Sequence, residues 1–272
     1  MIQTAKRIID QADAILVTAG AGMGVDSGLP DFRGDHGFWK AYPAIKKRNI
    51  SFQEMANPDW FETAPEFAWA FYGHRLHLYR DTQPHYGYDL LLDMMDKKPG
   101  YNFVMTSNVD GQFQKAGFDE KRILEKHGSI HHLQCTKKCS DDIWSAEGIE
   151  IEIDIKQFKA VGKLPTCPKC GAIARPNILM FDDWQWNDTR EQRQSMHYID
   201  WKNQVVGQRM EVVVIEIGAG TSIPTIRNIS EALGKFKFFD HIRINPTESQ
   251  GIKGTISLPM GALEGLKQIC KK

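Results

Sequence analysis

The chain predicts an α/β fold, a doubly wound parallel sheet with a small second module, on three observations. Apolar runs of strand length alternate with helical stretches along its 272 residues. Four strand ends carry short polar or glycine-rich segments, at 18–33, 106–110, 218–222 and 245–246. Such ends are where an open α/β sheet binds its ligand. The stretch 132–175 breaks the pattern: it holds four of the five cysteines, a charged middle and few long apolar runs.

Taken in order, residues 3–11 predict a short helix that leads into Ala14-Ile15-Leu16-Val17, the first strand. Its run ends in Thr18-Ala19-Gly20-Ala21-Gly22-Met23-Gly24, and a strand feeding a glycine-rich loop opens a dinucleotide fold. Residues 65–80 and 84–97 read as helices, 101–105 as a second strand, and Arg122-Ile123-Leu124 as another short apolar run ending at His127-Gly128. Residues 188–209 are polar and helical. Val212-Val213-Val214-Ile215 is the most β-branched run, and Gly218-Ala219-Gly220-Thr221-Ser222 follows it. Phe236-Lys237-Phe238-Phe239 and Ile242-Arg243-Ile244-Asn245 predict the last strands, and a helix from about Gly261 closes the chain. The expected division is a Rossmann-like dinucleotide-binding domain from 1–38, 83–131 and 176–272. The small domain combines a helical part, 39–82, with a cysteine module, 132–175.

Composition narrows the function classes. Apolar residues are 42% and charged residues 25%, with a formal net charge of zero, so no basic excess points to nucleic acid or an anionic membrane. No apolar run reaches membrane-span length. Asp10 and Asp13 interrupt the apolar stretch near the start, which argues against a signal peptide and for the cytosol. In a reducing compartment clustered cysteines are read as metal ligands. Cys135 and Cys139 are separated by three residues, and Cys167 and Cys170 by two. That spacing suits one tetrahedral structural zinc. His131 and His132 lie nearby but the quartet is complete without them, and Cys270 is left as a half-buried thiol.

The loop Gly20-Ala21-Gly22-Met23-Gly24-Val25-Asp26-Ser27-Gly28-Leu29-Pro30-Asp31-Phe32-Arg33 lacks the third glycine of the dinucleotide fingerprint, since Val25 stands there. Its continuation, Gly-Leu-Pro-Asp-Phe-Arg, resembles the sirtuins, and the resemblance extends over nearly the whole chain. It implies NAD as co-substrate, held by Gly20, Ala21, Gly22, Asp31, Phe32 and Arg33. Gly24 and Asp26 depart from the family's usual serine and glutamate. Thr106-Ser107-Asn108-Val109-Asp110 resembles the family's Thr-Gln-Asn-Ile-Asp, which implies that Ser107, Asn108 and Asp110 meet the nicotinamide end. Ser107 replaces a longer glutamine. His127 matches the catalytic histidine, which deprotonates a ribose hydroxyl; an unperturbed imidazole titrates near ~6.5, as such a base requires. Gly220, Thr221, Ser222, Asn245, Gly261 and Ala262 match the adenosine side.

Arg175-Pro176-Asn177-Ile178-Leu179-Met180-Phe181-Asp182-Asp183 resembles the segment lining the acyl-lysine tunnel, with Ile178 and Phe181 at its apolar positions and Asp182-Asp183 replacing Gly-Glu. Tyr72 and Arg75, on one face of a helix at i, i+3, resemble the pair of sirtuins that remove acidic acyl groups. An ordinary amphipathic helix with a core tyrosine and a surface arginine has the same spacing. The resemblance implies an NAD-dependent protein lysine deacylase acting on an acyl-lysine protein, extending to desuccinylation or demalonylation. Two other expectations stand beside it: NAD hydrolysis or ADP-ribosyl transfer in the same site, and a non-catalytic NAD-sensing module.

Overall fold

The computed structural model describes residues 1–31, 34–98 and 101–270. Helix α1 (Ile2–Gln11) leads into strand β1 (Ala14–Ala19), and two short 3₁₀ turns, Ala21–Met23 and Val25–Ser27, follow. Next come α2 (Gly34–Ala41), α3 (Pro43–Lys46), α4 (Phe52–Met55) and α5 (Trp60–Thr63). The last three are single turns, too short to carry a period of apolar pattern. One of them, α4, is set by a capping box: Ser51 Oγ accepts from Glu54 N, while Glu54 Oε2 accepts from Ser51 N at 2.8 Å. The long α6 (Pro65–Asp81) and α7 (Tyr86–Asp96) precede β2 (Phe103–Thr106), α8 (Gln112–Lys115) and β3 (Ile123–Glu125).

The cysteine-rich part holds β4 (Gly128–Cys135), β5 (Ile143–Ser145), β6 (Glu152–Asp154), β7 (Lys159–Val161) and β8 (Ala174–Ile178). The chain closes with α9 (Thr189–Gly207), β9 (Val212–Ile217), α10 (Thr225–Leu233), β10 (Phe239–Ile244), β11 (Ile256–Leu258) and α11 (Ala262–Cys270). Among the described residues no helix is long and apolar enough to cross a membrane.

The main sheet has the order β11-β10-β9-β1-β2-β3, and every pairing in it is parallel. Strand order therefore reverses between β1 and β9, the switch point at which doubly wound sheets open a crevice. Both strands are buried along their whole length, which is why they read as continuous apolar runs rather than as alternation. Ile15, Val17 and Ala19 pack toward α1, α7 and α11, while Ala14 and Leu16 pack toward Trp201 of α9 and Ile226 of α10. The result is three layers.

The small domain draws on two distant stretches. Phe61, Phe67, Trp69 and Phe71 share one apolar cluster with Leu133, Ile151, Phe158, Ala160 and Ala174. The β5-β4-β8 sheet is antiparallel and runs from Gly128 to Ile178 at its ends. One expectation from sequence is corrected here. Phe236, Lys237 and Phe238 form a turn, and β10 begins only at Phe239. Phe236 is half exposed and its ring lies tilted against Phe239 at 5.8 Å, so the aromatic run covers a turn instead of pairing in the sheet.

At the switch point the two loops touch backbone to backbone. Gly218 has φ +63, and a Cβ there would meet Gly22 C and Met23 N at 2.4 Å. Gly148 has a similar φ of +72, with nothing within 4 Å of a Cβ. Gly148→Ala therefore carries only the backbone term, about 1–2 kcal/mol. Gly218→Ala adds a backbone clash, and the expected loss is roughly 3–5 kcal/mol. Urea unfolding of the two variants, compared at equal m-value, measures the difference; equal midpoints would contradict the contact.

Candidate active site

A cavity of about 670 Å³ opens at this switch point, within the range of small-molecule sites. One half is built from strand ends: Gly20 and Ala21 after β1, Ser107, Asn108 and Asp110 after β2, His127 after β3, Gly220 and Ser222 after β9. The other half comes from the small domain: Tyr72 and Arg75 on α6, with Ile178 and Phe181 at the end of β8. Residues predicted from six separate stretches thus line one space.

Each polar residue at the strand ends is held from behind. Asn108 Nδ2 donates to Gly20 O at 3.1 Å, and its own N–H donates to Thr106 Oγ1 at 3.0 Å. Ser107 N donates to Ala19 O at 3.1 Å. Asp110 Oδ1 accepts from Gln112 N at 3.0 Å. Burial pushes its carboxyl up to about 6, against that backbone hydrogen bond; Glu125 raises it further and Arg75 opposes. His127 is pushed down to about 4 by burial and then by the neighbouring Lys126 cation. It is therefore a neutral imidazole across the physiological range. Its Nε2 lies 3.2 Å from Thr225 Oγ1 at the start of α10, a partner that no sequence spacing announces.

At the small-domain end Arg75 is not a surface residue; it is 6% exposed. Its guanidinium carbon lies 5.3 Å from the Phe71 ring centroid, 5.7 Å from Tyr72 and 5.4 Å from Tyr79. Burial pushes the Tyr72 hydroxyl up to about 12, so it stays a neutral donor. Asp182 and Asp183 have separate explanations. Asp182 has φ 55, the left-handed conformation that glycine favours and aspartate tolerates. Asp183 Oδ2 accepts from Arg175 Nη2 at 2.6 Å, with the two side chains 0% and 2% exposed. The same carboxylate accepts from Met180 N and Gln185 N, so it shapes the turn beside the cavity and does not face a ligand.

Some predicted residues stand behind the cavity wall. Gly22 is buried against Gly218. Asn245 is 0% exposed. Its Nδ2 donates to Ala219 O at 2.9 Å and its Oδ1 accepts from Thr247 N and Glu248 N, tying two loops together. Thr221 gives its N–H and its hydroxyl to the Glu248 carboxylate. Glu248 itself lines the cavity and carried no signal in sequence. Gly261 precedes α11 and Ala262 opens it, where Asp26 Oδ2 accepts from Leu263 N at 2.8 Å. Asp31 stands at the edge of the described loop, and Phe32 and Arg33 lie outside the described residues.

Away from the cavity, Cys135, Cys139, Cys167 and Cys170 place their sulfurs within 4.8 Å of one another. The Cys135–Cys170 and Cys139–Cys167 separations are 3.6 and 3.5 Å. Sulfurs around a tetrahedral zinc with bonds of ~2.3 Å stand about 3.8 Å apart. Burial raises the Cys167 thiol, but backbone N–H groups of Cys170 and Lys169 and the sulfurs of Cys139 and Cys170 outweigh it and bring it down to about 7. The four residues fit a zinc ion that leaves no open coordination position. Among the described residues neither His131 nor His132 belongs to any metal-competent group.

The reversed strand order and a cavity walled by glycine loops define a dinucleotide-type α/β protein with a cysteine-stapled small domain. The chain belongs to the Sir2 family, whose profile matches residues 20–213. It is similar to an NAD-dependent protein deacylase of Pyrococcus furiosus, 31% identical over 67% of this chain and 66% of the relative. It is also similar to NAD-dependent protein deacylase 1 of Caldanaerobacter subterraneus, 31% identical over 65% of this chain and 64% of the relative. The matched region spans just under two thirds of these relatives. Among solved structures, a Sir2 homologue in complex with NAD superposes with a TM-score of 0.65 at 24% identity, covering 98% of this chain and 92% of the other. A Sir2 protein bound to a propionylated peptide superposes with a TM-score of 0.65 at 19% identity, over 98% and 96% of the two chains. These two likenesses show the fold.

The cysteine geometry predicts about one zinc per chain in protein purified without added metal, the stoichiometry of a four-thiolate site. Metal analysis with thiol titration checks it. Chelation should expose four thiols and lower the melting temperature, and a metal-free protein of unchanged stability would contradict it.

Proposed function

We propose that the chain is an NAD-dependent protein lysine deacylase that releases nicotinamide and acyl-ADP-ribose. The observation that carries this reading is the convergence of His127, Asn108 and Asp110 in one cavity, between a glycine-loop half and an aromatic half. The glycine-loop half suits a dinucleotide: loops 20–22 and 218–220 bring backbone close to the space, and Glu248 offers a carboxylate for ribose hydroxyls. The aromatic half suits an acylated lysine, with Ile178, Phe181 and Tyr72 as apolar walls and Arg75 as a cation for acyl groups that end in a carboxylate.

NAD would supply an electrophilic anomeric carbon, open to the acyl oxygen of the modified lysine as nicotinamide leaves, and a ribose hydroxyl on which the acyl group ends. His127 accepts a proton from a ribose hydroxyl at a ring nitrogen, and Thr225 fixes the plane of that ring. Asn108 and Asp110 orient the nicotinamide end. Ser107 leaves room there that a longer side chain would fill, and this favours NAD hydrolysis or ADP-ribosyl transfer as the second reading.

Mass spectrometry of products formed from NAD and a panel of acyl-lysine peptides separates the readings. Deacylation yields acyl-ADP-ribose; plain ADP-ribose or an ADP-ribosylated protein overturns it. His127→Ala should cut turnover by ~10²–10⁴-fold while NAD still binds. A pH profile gives a further check. Asp110 is protonated below about 6 and ionised above it, so kcat/KM should rise through that value. His127, neutral above about 4, places no limb in this window. Asp110→Asn should remove the acid limb, and an unchanged limb in that variant would assign it to another group.

A further inference from the structure

The helix that carries Arg75 carries a second tyrosine one turn later. Residues 72, 75 and 79 form an i, i+3, i+7 stripe on α6, and all three line the main cavity. Tyr79 Oη accepts from Arg75 Nε at 3.1 Å and from Arg75 Nη2 at 2.8 Å. A guanidinium offers that same edge to a carboxylate when it binds one in bidentate fashion. Here a phenol oxygen holds it. Burial raises the Tyr79 hydroxyl, so the clamp adds no charge of its own.

Tyr79 is in turn fixed. It is 5% exposed, and Gln112 Nε2 donates to its carbonyl at 3.4 Å. Gln112 is the residue whose N–H caps Asp110, so the clamp is tied to the loop at the nicotinamide end. Tyr79 and Asp110 also form the wall shared with a smaller cavity of about 380 Å³ behind the site.

We infer that Tyr79 is a specificity-determining positioning residue, which stops rotation of the Arg75 guanidinium before substrate arrives and so favours acyl groups that end in an anion. A long cationic side chain that is free to rotate loses rotamer freedom when it grips its partner, and a clamp removes that loss in advance. Tyr79 acts through Arg75 and need not touch the substrate. The inference rests on reading the aromatic half of the cavity as the acyl pocket.

Tyr79→Phe keeps the ring and removes the oxygen. The full-length enzyme and this variant are compared on succinyl-lysine and acetyl-lysine peptides of the same sequence, with Arg75→Met alongside. The ratio of succinyl to acetyl kcat/KM should fall about tenfold or more in Tyr79→Phe, and the change should appear in KM for the succinyl peptide rather than in kcat. The Arg75 Nε–H resonance, protected from exchange in the parent, should lose its protection. A merely structural tyrosine would lower both substrates together and leave the ratio alone, and that result overturns the inference. A selective loss in Arg75→Met without one in Tyr79→Phe overturns the role of Tyr79 only. No selective loss in either variant, or no turnover of either peptide by the parent, overturns the acyl-pocket reading together with it.

Discussion

The backbone contact between the loops after β1 and β9 is the constraint on which the site depends. Gly22 N donates to Gly218 O at 3.0 Å, Gly20 N to Ile217 O at 2.9 Å, and Gly218 N to Ile244 O at 2.9 Å. A Cβ at Gly20 or Gly218 would meet the opposite backbone at 2.8 and 2.4 Å and push these loops apart. With the loops joined, Asn108 reaches Gly20 O and Asn245 reaches Ala219 O. Four strand ends are thereby linked, three of the contacts running between main-chain atoms and two from buried asparagine amides to main-chain carbonyls. Such a frame can hold polar groups in place without a ligand to organise them.

Buried charges position the edges of this frame. Arg243, 0% exposed, binds Glu216 through Nε and Nη2 and also reaches Glu231 and the carbonyl of Gln250. Arg227 donates to the carbonyls of Glu248 and Gln250. The loop that presents Glu248 is thus held by two guanidinium groups from beneath. At the opposite end, the Arg175–Asp183 pair does the same for the turn after Phe181. Buried ion pairs add little net stability. In both places they determine where a cavity-lining loop lies.

This division of labour explains what could be read from the chain alone. The strands of the central sheet were legible where burial on both faces leaves continuous apolar runs, the three-residue edge strand β11 was not, and the cavity residues were legible where short motifs sit at strand ends. The single-turn helices α3 to α5 were not, because four residues carry no period. Phe236-Lys237-Phe238 looked like a strand because aromatic residues are β-formers by composition, whereas the turn there is set by where α10 ends and β10 must begin. Thr225 and Glu248 were missed for one reason: each meets a partner distant in sequence, and no local spacing records that. Tyr79 stands one helical turn after Arg75, a spacing the chain does record, but spacing alone does not show that its hydroxyl meets the guanidinium. Asp183 was visible as a departure but not as an ion-pair partner, since Arg175 meets it only after β8 turns.

The cysteine quartet lies outside the cavity, yet it bears on the chemistry through α6. That helix is apolar on nearly all sides, with Phe67 to Gly73 buried without interruption. One side faces the cavity through Tyr72, Arg75 and Tyr79. The other faces the insert: Trp69 Nε1 donates to Ala174 O at 3.0 Å, and a Cβ on Gly73 would meet Ile151 at 2.7 Å. The insert has no core without α6, and α6 has no cover on that side without the insert. A metal joining Cys135 and Cys139 to Cys167 and Cys170 closes the insert into a loop and removes much of its unfolded freedom. Its stabilising effect passes through Ile151 and Ala174 into the helix that carries Arg75. The small domain is therefore a support for one wall of the pocket, and its cysteines steady the aromatic end of the cavity without reaching it.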